Sequence, residues 1–271
     1  MGKEMRAQVA DPQRPDDVER QSACLAVLAA ALSEMRAKTI AELGLVPGMS
    51  VLDAGSGAGE LAIGLAPQVQ PGGRVVGVDL NPELFERARA AAASACVEVD
   101  FRVGDIRELP FERDEFDVVR SERVFQYLDQ SEAPRAAAEL VRVAKPNGVV
   151  QIVDPNHLQT AITATDRELA HLLVKQFTII SKNPESGLFL GGLLRAAGVP
   201  DVRVELWPTV FASLDAFRAV RDLKSELGYL VARRVVNPDR TAAFLADLET
   251  RDREGSFLAT VITYAATGRK A

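Results

Sequence analysis

The sequence predicts an α/β fold, a mostly parallel seven-stranded sheet with helices on both faces. Three observations carry this reading. Short apolar runs alternate with helical patterns from residue 49 to residue 153, the rhythm of successive βαβ units. The run Ser50-Val51-Leu52 ends in Asp53 and passes through Gly55, Gly57 and Gly59 toward a helix near Glu60. A second run, Arg74 to Val78, ends in another acid, Asp79. Strands buried on both faces read as continuous apolar runs rather than alternating ones.

The elements follow in order. Residues 1–15 are polar, with Pro12 and Pro15, and read as an arm. A helix starts near Asp16, because Val18, Leu25, Leu28, Leu32, Met35 and Leu43 recur at helical spacing. Gly44 and Pro47 stop it. Strand 49–54 precedes helix 59–67, and strand 74–79 precedes helix 82–94, where Asn81 and Pro82 make a good start. Strand 98–103 leads through a loop at 104–110 to strand 115–121, helix 132–144 and strand 148–153. After Asp154 the rhythm breaks. Helices are expected at 160–177 and 185–197, then a strand at 201–207. Phe211, Leu214, Phe217, Val220 and Leu223 read as one face of a long helix, with another helix at 239–249 and a last strand at 255–266.

Composition narrows the class of protein. With 271 residues and 47% hydrophobic content, the chain is long enough for one large domain, or one domain with a cap. No apolar run reaches the roughly 18–20 residues of a membrane span, and the N-terminus has no signal-peptide core. The expectation is a cytoplasmic protein. A net charge of −6 and the lack of a Lys/Arg cluster argue against a nucleic-acid partner. Two cysteines and two histidines suggest neither a disulfide framework nor a metal site, so no metal is expected.

The glycine spacing decides which ligand suits the strand–turn–helix. A dinucleotide fingerprint has its third glycine one residue later than Gly59, where Glu60 stands. A carboxylate there is poorly placed for a pyrophosphate. Asp79 follows Gly59 by 20 residues, the distance at which a carboxylate meets a ribose in nucleotide folds. The ligand therefore has a ribose and no phosphate, and a nicotinamide-dependent oxidoreductase becomes the weaker rival.

These residues resemble the class I S-adenosylmethionine-dependent methyltransferases, and most closely the ubiquinone/menaquinone-biosynthesis type and its small-molecule relatives. The match runs through Val51-Leu52-Asp53-Ala54-Gly55-Ser56-Gly57-Ala58-Gly59, Val76-Gly77-Val78-Asp79, Gly104-Asp105, Phe116-Asp117-Val118-Val119 and Arg142 to Val150, in the family's order. The resemblance implies a Rossmann-like sheet whose last two strands form an antiparallel edge hairpin, with a helical lid inserted after the fifth strand. It divides the chain into an N-terminal arm and cofactor-covering helix at 1–44, a cofactor-binding core at 45–155, and lid segments plus the last strands at 156–271.

It also implies S-adenosylmethionine as cofactor and S-adenosylhomocysteine as product. The backbone of Gly55 and Gly57 would lie along the methionine part, with Ser56, Gly59 and Gly104 in the same loops. Asp79 would accept from the ribose hydroxyls, Leu80 and Ile106 would sandwich the adenine, and Asp105 would accept from its amino group. Asp53 would hold either the glycine loop or the ammonium group. A backbone carbonyl near Ser121 or Glu122 would meet the ammonium, and Arg36 could reach the methionine carboxylate or stay solvated.

The acceptor side is less determined. The stretch from Arg120 to Leu128 has its family place beside the methyl group, so Gln126 and Tyr127 are candidate acceptor contacts. Relatives often have His where Tyr127 stands. Glu122 is a candidate catalytic group or a buried partner of Arg123 or Arg120. His157, expected in a loop leaving the fifth strand, is a candidate general base because imidazole titrates near neutrality. His171 reads as structural. Phe177, Phe189 and Phe217 are candidate acceptor contacts on the lid, or core. The expected partner is a small, apolar or aromatic methyl acceptor. No membrane is involved, and the protein is a monomer or a homo-oligomer formed through the arm or first helix. The rival from another class keeps the cofactor site without transferring methyl, as a cyclase or binding module.

Overall fold

The computed structural model describes residues 15–178 and 181–271, with the side chains of 15–26, 29 and 177 outside that description. The arm expected at the N-terminus thus lies outside the described residues up to residue 14. Helix α1, Pro15–Ala41, leads into strand β1, Ser50–Ala54, and α2, Glu60–Leu65. Strand β2 is Arg74–Asp79, α3 is Glu83–Ser94, β3 is Asp100–Val103 and β4 is Phe116–Glu122. Helix α4, Glu132–Val143, runs directly into β5, Ala144–Ile162. Then come α5 (Arg167–Phe177), α6 (Ser186–Ala196), β6 (Val202–Phe211), α7 (Leu214–Val220), α8 (Leu223–Ala232), α9 (Pro238–Arg253) and β7 (Ala259–Arg269).

The seven strands form one sheet in the order β3-β2-β1-β4-β5-β7-β6. β1 to β5 pair in parallel. β7 runs antiparallel to β5: the Asn147 N–H donates to the Lys270 carbonyl and the Lys270 N–H to the Gly148 carbonyl. The order reverses between β1 and β4, which places the ligand crevice outside the carboxyl ends of those strands.

Register explains the two apolar layers. Val51 sits beside Val75 and Val118, and Val118 beside Val149. These four valines face one cluster with Leu65, Phe85 and Ala88. One residue on, Leu52, Val76, Val119 and Val150 face the other cluster, with Leu140, Phe125 and Leu190. Successive side chains in a strand point to opposite faces, so continuous apolar runs feed both layers.

The chain forms two compact units. The sheet unit takes in residues 37–158, 178–208 and 262–271. The other takes in 159–177, 209–261 and α1 up to Arg36. Of the helices after β5, α6 belongs to the sheet unit, through Leu190 and Leu194. The other unit has its own core, in which Leu169, Leu173, Phe211, Phe217, Phe244 and Leu248 pack together.

Several expected boundaries differ, among them the sixth strand, which runs on to Phe211, and the last, which is Ala259–Arg269. The fifth strand does not stop at residue 153 but continues to Ile162. The helix expected from 160 begins at Arg167. The long helix expected through Phe211 and Leu223 is the end of β6, which runs to Phe211, followed by two helices, each started by a side-chain cap. Ser213 accepts from the Ala216 N–H, and Asp222 from the Ser225 N–H.

Candidate active site

At the carboxyl ends of β1, β2 and β4 lies a cleft of about 480 Å³, within the size range of small-molecule sites. It is built by short turns. Gly55 adopts φ +85°, and a Cβ there would lie 2.1 Å from Val124 Cγ2, so the turn after β4 packs directly on the glycine. Gly59 adopts φ +80°, and a Cβ there would strike the Phe101 ring at 2.5 Å. Both positions need glycine for conformation and for space.

Asp79 ties this turn to the end of β2. Its carboxylate accepts the Gly57 N–H at 2.9 Å and the Asn81 N–H at 3.0 Å. Asn81 in turn accepts the Glu83 N–H and starts α3. Leu80 beside it is 61% exposed, an apolar side chain lining the cleft. Ile106, Val124 and Leu128 also line it.

Asp105 and Arg107 form the outer part of the wall. The Arg107 guanidinium forks onto both Asp105 oxygens, with Nη2 donating to Oδ2 at 2.6 Å and Nε to Oδ1 at 2.9 Å. The Arg107 N–H also donates to Oδ1 at 2.9 Å. The guanidinium beside it, more than any other group, holds the Asp105 carboxyl below its ordinary value. Arg107 Nη1 pairs with Glu132, at the start of α4, and Lys182 approaches the same carboxylate.

Of the expected cofactor residues, the structure brings Gly55, Gly57, Asp79, Leu80, Gly104, Asp105 and Ile106 to the cleft, together with Glu122 and Tyr127. Asp53, Ser56, Gly59 and Ser121 do not line it. Asp53 and Ser121 are buried. Arg107, Glu132 and Lys182 were not among the expected residues. Arg107 was findable from its place two residues after Asp105, whereas Lys182 comes from a segment distant in sequence, and no local pattern marks it.

On the acceptor side Glu122 takes the second of its expected readings, and Gln126, His157, Phe217 and Phe189 sit differently from expectation. Glu122 is a partner of Arg120, which is fully buried and also donates to Thr39 Oγ1 at 3.2 Å and to Gln151. Gln126 is buried, with Nε2 donating to the Arg123 carbonyl at 3.0 Å. Its Oε1 therefore accepts, and His157 Nε2 donates to it at 2.7 Å. His157 is within β5, not in a loop, is 5% exposed, and is absent from the cleft wall. Phe217 is fully buried in the core of the other unit, against Phe211 and Phe257. Phe189 is half-exposed on α6 and off the cleft wall. Arg36 belongs to the other unit, and the Phe177 side chain lies outside the described residues.

The buried Asp154 fixes the turn that carries Tyr127. It takes donors from the Phe125 N–H, the Gln126 N–H and the Ser186 hydroxyl. Burial outweighs these bonds and pushes its carboxyl up to about 7.

A seven-stranded sheet reversing at β1 and β4, with a glycine turn and an acidic β2 end on one cleft, defines the class I methyltransferase fold. Residues 51–148 match the methyltransferase-domain family. Over those residues this chain carries a methyltransferase domain. It is 32% identical over 123 residues to the demethylmenaquinone methyltransferase of Lactococcus lactis, covering 45% of this chain and 48% of that protein. The YcgJ protein of Bacillus subtilis shares the fold at TM-score 0.57 and 21% identity, over 89% of this chain and 98% of that one. So does the cyclase SpnF, at TM-score 0.53 and 19% identity, over 88% and 80%. The chain spans about half, or less, of the length of the curated relatives it matches. Among the described residues no helix is long and apolar enough to cross a membrane.

Proposed function

We propose that this protein transfers a methyl group from S-adenosylmethionine to an oxygen, nitrogen or carbon of a small, apolar or aromatic metabolite. The observation that carries the reading is the set Gly55, Gly57, Asp79 and Asp105 on one cleft of a methyltransferase domain. The charges fit the cofactor. Asp79, Asp105, Glu122 and Glu132 line the cleft against Arg107, Arg123 and Lys182, one carboxylate in excess, and a sulfonium with an ammonium and one carboxylate has a net positive charge. The apolar wall of Val78, Ile106, Val124 and Leu128, with Tyr127 at the rim, suits an adenine and an apolar acceptor.

When bound, S-adenosylmethionine supplies an activated methyl group, and its transfer leaves the neutral thioether. The chain's part is orientation and exclusion of water. Gly55 and Gly57 let the backbone approach, Asp79 offers carboxylate oxygens to the ribose, and Asp105 faces the base. The buried His157–Gln126 pair holds the turn before Tyr127, and in this reading it does not remove the acceptor's proton. The cyclase SpnF has the same fold, so transfer itself must be measured. The test is incubation with methyl-labelled cofactor and a metabolite extract, with mass spectrometry of the product. Binding of S-adenosylhomocysteine without any labelled product would favour a non-transferring protein.

A further inference from the structure

We propose that Arg107 is a positioning residue that makes the cleft select a base with an exocyclic amino group over one with a carbonyl in its place. The inference rests on the cofactor reading above. An ionised carboxylate offers about four lone-pair sites. On Asp105 three N–H groups make four contacts: the Arg107 backbone N–H and Nε–H reach Oδ1, Nε–H and one Nη2–H reach Oδ2, and Nε–H is shared between the two oxygens. Three protons for about four sites leave one acceptor position. Asp105 lines the cleft with its side chain 28% exposed, so that position is open to a ligand.

The fork does more than supply charge. Two donors in one plane fix the plane of the carboxylate. The far end of the guanidinium is held by Glu132 at the start of α4. Lys182 approaches the same Glu132 carboxylate at 3.4 Å, so the clamp has a second support from the segment before α6. The remaining lone pair therefore has a fixed direction. A ligand N–H pointing along it makes a charge-assisted hydrogen bond. A carbonyl oxygen there meets a carboxylate with no proton to share, and sites built this way reject the wrong partner strongly. A lysine at 107 would keep the positive charge but could not fork.

The experiment compares Kd for S-adenosylhomocysteine, for S-inosylhomocysteine, which carries a carbonyl in place of the amino group and a hydrogen on the adjacent ring nitrogen, and for the purine-riboside analogue that lacks the amino group and keeps that nitrogen bare. Calorimetry is done on the parent, Arg107→Lys and Arg107→Gln, with melting curves to confirm that each is folded. The parent is expected to prefer the adenosyl ligand by on the order of 100-fold. Both variants should lower that ratio to less than about 10-fold, mainly by weakening the adenosyl ligand, since each loses a fixed hydrogen-bond acceptor geometry. A ratio that survives in both variants overturns the proposal while leaving the cofactor reading intact. A ratio kept by Arg107→Lys and lost in Arg107→Gln also overturns it, because charge alone would then suffice. A parent that binds none of the three ligands overturns the cofactor reading and this inference with it.

Discussion

The Asp154 carboxylate accepts the backbone N–H of Phe125 at 2.8 Å, across 29 residues of sequence. This bond fixes the start of the short helical turn Phe125–Tyr127 to the middle of β5. The cleft wall that carries Tyr127 is thus anchored by a titratable group fully removed from solvent.

The first prediction concerns pH. Burial raises the folded carboxyl of Asp154 to about 7, above the ordinary value of about 3.9 for an unfolded chain. A raised group contributes stability that is fully present below the unfolded value and is lost as pH rises through the folded one. Urea unfolding from pH 4 to pH 8 should show that loss, with a slope of up to one proton. Asp154→Asn should flatten it. An equal pH dependence in parent and variant would show that Asp154 stays ionised across the range.

The second concerns Asp79. Asp79→Ala removes the proposed ribose contact and also releases the Gly57 and Asn81 N–H groups. Binding of S-adenosylhomocysteine should weaken by roughly 1–3 kcal/mol, the scale of unpaired polar partners. The melting transition should remain cooperative. Unchanged affinity in calorimetry would remove Asp79 from the cofactor site.

The third separates two phenylalanines. Phe217 is fully buried among Phe211 and Phe257, so Phe217→Ala should cost about 3–5 kcal/mol of stability. Phe189 is half-exposed, and Phe189→Ala should change stability by less than about 0.5 kcal/mol. Chemical denaturation of both variants checks this, and similar losses would contradict the burial.

The fourth concerns His157. Its Nε2–H donates to the buried Gln126 Oε1, so His157→Ala leaves a buried acceptor unpaired. Stability should fall by about 1–3 kcal/mol. Turnover, once an acceptor is known, should fall less than about tenfold, below the 10²–10⁴-fold range of a lost general base. A larger loss in a folded variant would restore His157 as the base.

The middle of the sheet was legible because β1 and β2 are apolar on both faces and their runs reach an acid, Asp53 and Asp79. Gly55 and Asp79 were legible for the same reason: their backbone and charge requirements are local. The continuation of β5 was not. Asp154-Pro155-Asn156-His157 are turn-forming types, and read locally they end a strand. Their polar groups are instead satisfied from far away, Asp154 by Phe125, Gln126 and Ser186 and His157 by Gln126. The split between α7 and α8 was marked by Ser213 and Asp222, but apolar spacing across Phe211 to Leu223 masked those caps. The Arg120–Glu122 pair was one of two readings open in the sequence, and only packing could choose it.

The row Asp53, Arg120 and Gln151 crosses β1, β4 and β5 at one level of the sheet, just beyond the valine row. It acts as a combination lock on strand alignment. A slip of β4 by one residue would exchange its two faces and drive the fully buried Arg120 into the layer of Leu140 and Phe125, away from Gln151 and Thr39. An unpaired buried charge costs several kcal/mol, whereas the valines on either side would accept almost any alignment. The apolar rows bring the strands together, and this polar row, with the Ser50–Asp117–Lys145 contacts at the other end of the strands, dials in which residue faces which.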